Sequence, residues 1–295
     1  IWLAATGSGD GCERVAVRGC RLRCGIDQSA HDGETFGVFI GGDTLATGSG
    51  GTGHDTLAIA GNDIRRVRWG IWAAGEPGSP NDSLTVTDNR IGPESFGPDQ
   101  IGRGGIVLRH QRAALVEGNE VRFVGSTAAD SASGAGRVGI GVGAAAWPRD
   151  GSALEAAPAA GTTVLGNRVH HVIDEKGSSA TGILLAGDAA EGATENLVAN
   201  NFIRDVRANA APGEAAIGLG IAAGEGDRVL FNSIRLCGDL DPDGAADAAA
   251  GACDLRIRSN VPAALLLANN AVSVDLAAND STLRHFAVLV PDSAF

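Results

Sequence analysis

Apolar positions along the chain come in short bursts that alternate with polar ones and are separated by glycine-rich gaps. The stretch "GIVLRHQRAALVEGNEV" (105–121) and the stretch "GILLAGDAAEGATENLVANNFI" (182–203) follow one scheme. Each runs Gly-Ile, an apolar strand, a polar gap, a second apolar strand and then Asn-x-Val or Asn-x-Ile. Alternation with period two over such short runs predicts strands rather than helices. The asparagine motif recurs at Asn62, Asn89, Asn119, Asn167, Asn201, Asn232 and Asn270, and Cys20 holds the same place in "VAVRGCRLRCG". Successive spacings are 42, 27, 30, 48, 34, 31 and 38 residues. A constant motif at irregular spacing implies one structural unit per repeat, with insertions concentrated at a corner. Three short strands per unit, each stacked on the next unit, predict an all-β parallel β-helix of about eight coils. At the usual strand spacing such a rod is roughly 35–40 Å long.

The pattern "GIxL…VxxNxI", from about Val15 to about Val290, resembles the right-handed parallel β-helix repeat of the pectin-lyase-like superfamily. The resemblance implies right-handed winding, in keeping with the rule for parallel crossovers, and one β-helix domain over residues 1–295; a chain without Met that opens on Ile1 in an already patterned region is expected to be a segment of a longer protein or a processed chain. It also implies a protein that acts outside the cytoplasm, secreted, on the cell surface or in the periplasm. Its expected role is to bind or process polysaccharide, with uronic-acid polymers as the favoured class, as a lyase or glycoside hydrolase if it is an enzyme. The competing expectation is a noncatalytic structural or adhesive solenoid of a surface or tail-spike-like protein. The polygalacturonase-like signatures Asn-Thr-Asp, Asp-Asp, Gly-His-Gly and Arg-Ile-Lys are all absent.

The repeated residues themselves read as scaffold. Asparagine at a corner tolerates left-handed dihedrals, and its amide can bond between coils. Gly70, Gly105 and Gly182, each before an isoleucine, supply either a positive φ or room for close packing. Function is therefore expected in what interrupts the repeat, since insertions in repeat folds often gather on a binding face.

The richest interruption is "NRVHHVIDEKG", which brings Arg168, His170, His171, Asp174, Glu175 and Lys176 together. A base or paired carboxylates with nearby cations are what β-elimination or hydrolysis of a uronic-acid polymer requires. Alternation about Val169 places Arg168 and His170 outward on a polar rim. Arg65, Arg66, Arg68 and Trp72 form a candidate sugar platform: if Ile71 points inward, Trp72 points outward, either to stack on a pyranose or to pack under the 75–82 loop. The insertion "CGDLDPDGAADAAAGAC" (237–253) sets Asp239, Asp241, Asp243 and Asp247 at the spacing of a calcium loop, though Ala250 stands where a bidentate Glu is expected. Disulfides joining Cys237 to Cys253, and Cys12 to Cys24, are expected of a protein from an oxidising compartment.

Composition narrows the partners. The formal charge of −12 argues against nucleic acid or anionic lipid, and the 23 basic residues include one lysine, Lys176. No run approaches the ~18 apolar residues of a membrane span.

Overall fold

In the computed structural model the described residues are 1–6, 9–24, 34–126, 136–148, 155–187, 192–210, 214–239, 251–258, 264–277 and 285–289. Among them every regular element is a strand, and every strand pairing is parallel. Apart from a short pairing of Asn81–Asp82 with Gln111–Arg112, the strands stack into three walls, and each coil contributes one strand to each wall. The first wall runs from Trp2–Ala4 and Phe36–Gly41 to Gly251–Ile257 and His285–Leu289. The second stacks eight strands from Ala16–Arg18 to Leu266–Ala268. The third, which follows each asparagine, runs from Arg21–Arg23 to Ala271–Ala277. The chain is thus an all-β parallel β-helix with eight rungs in its second wall, as the repeat predicts.

Period-two alternation explains the core. Val86, Val116, Val164 and Val198 are successive register partners on the second wall. Ile91, Val121, Val169 and Ile203 do the same on the third, and Ile71, Ile106, Ile140 and Ile183 on the first. All are fully buried in one continuous cluster. Like residues stack on like because each rung repeats its neighbour's geometry. Of the two roles open to Gly105, close packing is the one it plays. A Cβ there would lie 2.5 Å from the Gly139 carbonyl oxygen and 2.3 Å from Val121 Cγ1.

The outward face of the first wall carries a second apolar cluster built on Phe36, Phe39, Trp69, Trp72 and Trp147. A Cβ on Gly220 would meet the Trp147 ring at 2.6 Å, so the insertion after the fifth first-wall strand folds back over that wall.

The asparagines form a continuous buried ladder at the corner between the second and third walls. Asn119 Oδ1 accepts from the Asn89 backbone N–H at 3.0 Å and from Asn89 Nδ2 at 2.9 Å. Asn119 Nδ2 donates to the Val86 carbonyl at 2.8 Å and to Asn167 Oδ1 at 3.0 Å. The same pattern links Asn62 to Asn89 and runs on from Asn167 through Asn201 and Asn232 to Asn270. The expected left-handed conformation falls one residue earlier than the asparagine. Gly61, Asp88, Gly118, Gly166, Asn200, Phe231 and Asn269 all have φ between 55° and 65°. A sharp corner needs that turn, and the asparagine following it then points its amide into the stack.

Replacing Asn119 by Ala strips two donors of Asn89 and the Val86 carbonyl of their partners. Leaving buried polar groups unpaired is expected to cost on the order of 3 kcal/mol, read as a lower urea midpoint with little change in slope.

Candidate functional site

Because strands pair in register, residues at fixed offsets from the asparagines form columns on the outer face of the third wall. One column holds Arg21, Asp63, Arg90, Glu120, Arg168 and Phe202. The neighbouring column holds Arg23 and Arg65 in the early coils, then Arg122, His170, Arg204 and Arg235 in four consecutive ones. Eight arginines thus share one face with only Asp63 and Glu120 as acids in these two columns, on a chain of net charge −12. The face is a basic stripe along the rod axis.

Some of these charges are neutralised locally. Arg65 makes a two-point pair with Asp63, at 2.7 and 2.9 Å. Glu120 sits among Arg90 at 3.4 Å, Arg122 at 3.5 Å and His170 Nε2 at 3.4 Å. The Arg168 side chain has no hydrogen bond or ion pair among the described residues, and the residue is exposed. Arg204, with 45% of its side chain exposed, meets only Asp205 Oδ2, at 3.6 Å, among the described residues. Glu120, Arg168, His170, Phe202 and Arg204 line an open depression of about 490 Å³. A second depression of about 470 Å³ adjoins it over the asparagine corner and shares Glu120 and Arg168. The centre of the stripe therefore offers two accessible guanidinium groups, one carboxylate, one imidazole and one aromatic ring.

A chain of titratable groups lies beside this depression. His170 Nδ1 and His171 Nδ1 are 2.7 Å apart, so one imidazole donates to the other. His171 has φ of 55°, and its ring stacks on Phe123 at 4.3 Å between centroids. Its Nε2 lies 3.6 Å from Asp205, which also accepts from the Cys237 thiol at 3.0 Å. Burial holds both histidines below their ordinary range, and nearby guanidinium groups add to the effect. Arg204 and Arg122 act on His170; Arg204 and Arg207 act with His170 on His171, which falls to about 4. Glu120 on His170 and Asp205 on His171 pull the other way, each second only to burial. Burial against Asp205 pushes the Cys237 thiol up, so it is no activated nucleophile.

The sequence-selected residues divide. Arg168 and His170 face the depression, while His171 sits at the corner behind it. "NRVHHVIDEKG" is not a loop: Arg168–Gly177 is a ten-residue strand. Its Asp174 is 1% exposed, with Arg137 Nη1 at 3.5 Å and the Ser178 N–H at 3.2 Å, and so belongs to the fold. Glu175 is half-buried with partners of its own, and the Lys176 side chain lies outside the described residues. Of the proposed platform, Arg65 joins the stripe, Arg66 holds Asp99 at 2.6 Å and Arg68 is buried. Trp72 does point outward, yet it is 1% exposed, lying against Trp69 at 4.7 Å with Arg109 over its ring at 5.7 Å. Its face is closed to a sugar.

Among the metal candidates, Asp239 is described only as the last residue of a strand, and Asp241, Asp243 and Asp247 lie outside the described residues. The expected disulfides are corrected: Cys12, Cys20, Cys24 and Cys237 are free thiols. Cys237 pairs in register with Asp275 on the third wall, whereas Cys253 pairs with Ile217 and Phe286 on the first, and the Cys237 thiol is already engaged by Asp205.

Glu120, Arg122, Phe202, Arg204 and Asp205 were not selected from the sequence alone. Aligning the repeats on their asparagines and reading the first and third residues after each would have exposed the arginine columns. No protein-family model matches the chain, and no curated protein or solved structure matches it significantly. Fold and face together define a parallel β-helix with a cationic stripe along one wall.

Three histidines, His54, His170 and His171, are held neutral by burial. Their folded pKa values lie below the unfolded value of about 6.5, so the stability they contribute is complete above that value. It is lost as pH falls from about 6.5 toward 4. Thermal melts at pH 7.5, 6, 5 and 4 are expected to show a declining midpoint, and the decline is expected to shrink in His54→Asn.

Proposed function

We propose that the chain binds a linear acidic polysaccharide along the arginine stripe of its third wall. The observation that carries this reading is the alignment of arginines on successive rungs around a depression where Arg168 is unpaired among the described residues and Arg204 is accessible. Guanidinium groups bind carboxylate and sulfate through paired, charge-assisted hydrogen bonds. Their repeat of ~4.8 Å along the rod is of the order of one sugar unit in an extended chain. The positive face confines an anionic polymer to one wall, because the chain as a whole is acidic. The resemblance of the repeat to pectin-lyase-like proteins supports the same class of ligand and an extracytoplasmic site of action.

A second reading, cleavage by β-elimination, has one observation in its favour: neutral His170 lies in the depression beside Glu120 and between the two arginines. In that reaction His170 removes the C5 proton of a uronate, the electron pair forms the C4–C5 double bond, the C4–O bond breaks, and the leaving oxygen takes up a proton.

Titration calorimetry with polygalacturonate, alginate and chondroitin sulfate, against a neutral glucan, tests the binding reading. Binding to at least one polyanion, weakened by added salt, is expected. Arg168→Glu and Arg204→Glu are each expected to weaken it roughly tenfold or more, the scale of a charged hydrogen bond. Failure to bind any of the three polyanions overturns the proposal. Ultraviolet absorbance of unsaturated ends in the same mixtures decides the second reading.

A further inference from the structure

The column immediately before the asparagines contains one residue that the fold does not require. At this corner every coil from the first to the last adopts the left-handed conformation, and the occupants are Gly19, Gly61, Asp88, Gly118, Gly166, Asn200, Phe231 and Asn269. Seven of the eight are the residue types that tolerate such a φ. From Gly19 to Phe231 the backbone does the same work at each. The N–H of Gly61 donates to Thr87 O at 3.0 Å, that of Asn200 to Leu230 O at 3.2 Å and that of Phe231 to Ala268 O at 3.1 Å. A phenylalanine at φ of 57° carries a steric cost that glycine and asparagine avoid. Burial does not offset it, because Phe231 is 54% exposed, the most exposed large apolar side chain among the described residues.

A second exposed ring stands on the adjoining coil. Phe202 is 43% exposed and is the register partner of Ser233, two residues after Phe231. Phe202 also lines the depression that contains Arg168 and Arg204. Two open aromatic rings thus lie on neighbouring coils at the edge of the stripe, near the accessible Arg168 and Arg204. No other phenylalanine or tryptophan occupies these columns in the described residues.

We infer that Phe202 and Phe231 form an aromatic subsite that stacks on the apolar C–H face of a pyranose ring whose acidic substituent is held by Arg168 or Arg204. The inference rests on the polyanion-binding reading and adds to it a requirement for a sugar ring, which charge alone does not impose. An aromatic ring in water beside cations fits a ligand that is apolar on one face and anionic at its edge, as an acidic pyranoside is. The strained φ of Phe231 is the mark of a residue kept for its side chain at the expense of stability.

The test pairs stability with binding in Phe231→Asn, which supplies the residue type used at two other coils. The melting midpoint is expected to rise, because left-handed strain is relieved. Affinity for the polygalacturonate, alginate or chondroitin sulfate that the unaltered protein binds best is expected to fall roughly five- to tenfold, the scale of truncating an anchoring aromatic. The salt dependence should stay as in the unaltered protein, whereas Arg168→Gln should flatten it. Phe202→Ala should give a similar loss, and polyacrylate, an anionic polymer without sugar rings, should bind equally to unaltered protein and Phe231→Asn. If Phe231→Asn binds the polysaccharide as tightly as unaltered protein, the subsite is overturned while stripe binding stands. It is likewise overturned if the substitution lowers the melting midpoint, or if it dissolves a dimer seen by sedimentation, since the rings then serve packing or self-association. Absence of binding by the unaltered protein overturns both readings.

Discussion

The structure depends on keeping neighbouring coils in register, and the asparagine ladder is the interaction that enforces it. A hydrophobic column alone tolerates slippage, since valine packs almost as well against the next isoleucine along a strand. A side-chain amide that must both accept from the coil before and donate to the coil after does not. Each asparagine also takes up a carbonyl from the second-wall strand of the coil before, as Asn119 does with Val86. A one-residue shift would leave all of these groups buried and unpaired, at a cost of a few kcal/mol per corner. At the corner of Cys20 the line is carried by the backbone alone, whose N–H donates to Asn62 Oδ1.

Register in turn creates the surface. The second residue after each asparagine points into the core, and its neighbours on either side point out, so any residue type repeated at these outer offsets becomes a line along the rod. Arginine recurs there, and a chain that is acidic as a whole acquires a cationic wall. Glu120 and the histidine pair sit within that wall rather than at its end. The centre of the stripe therefore combines fixed charge with groups whose protonation depends on pH, and the carboxylates on either side of the pair offset part of the effect of burial.

The coil architecture was legible because it follows from local alternation and from one recurring polar residue. The site was less so, and the reason is geometric. Glu120, Arg168 and Phe202 meet across coils although 48 and 34 residues separate them, whereas sequence inspection favours clusters along the chain. "NRVHHVIDEKG" looked like a single constellation, yet it turns through a corner: Arg168 and His170 face outward, His171 lies at a left-handed bend, and Asp174 is buried against Arg137. Trp72 was correctly placed on the outer face, but an outer face is not always wet. The first wall is roofed, and Trp147, lying over Gly220, comes from an insertion whose destination no periodicity reveals. The cysteines do not pair as their spacing suggests, because bracketing a loop in sequence says little about which wall each end rejoins.

A row of near-equivalent charges has no unique origin. An anionic chain lying on such a row could advance by one rung and exchange each contact for its equivalent, losing only those at its ends. Residence on the surface and mobility along it would then be separate quantities, one set by the number of rungs engaged and the other by the unevenness between them. Asp63, Glu120 and the aromatic rings near the last coils interrupt that evenness, and they are where a travelling chain would pause.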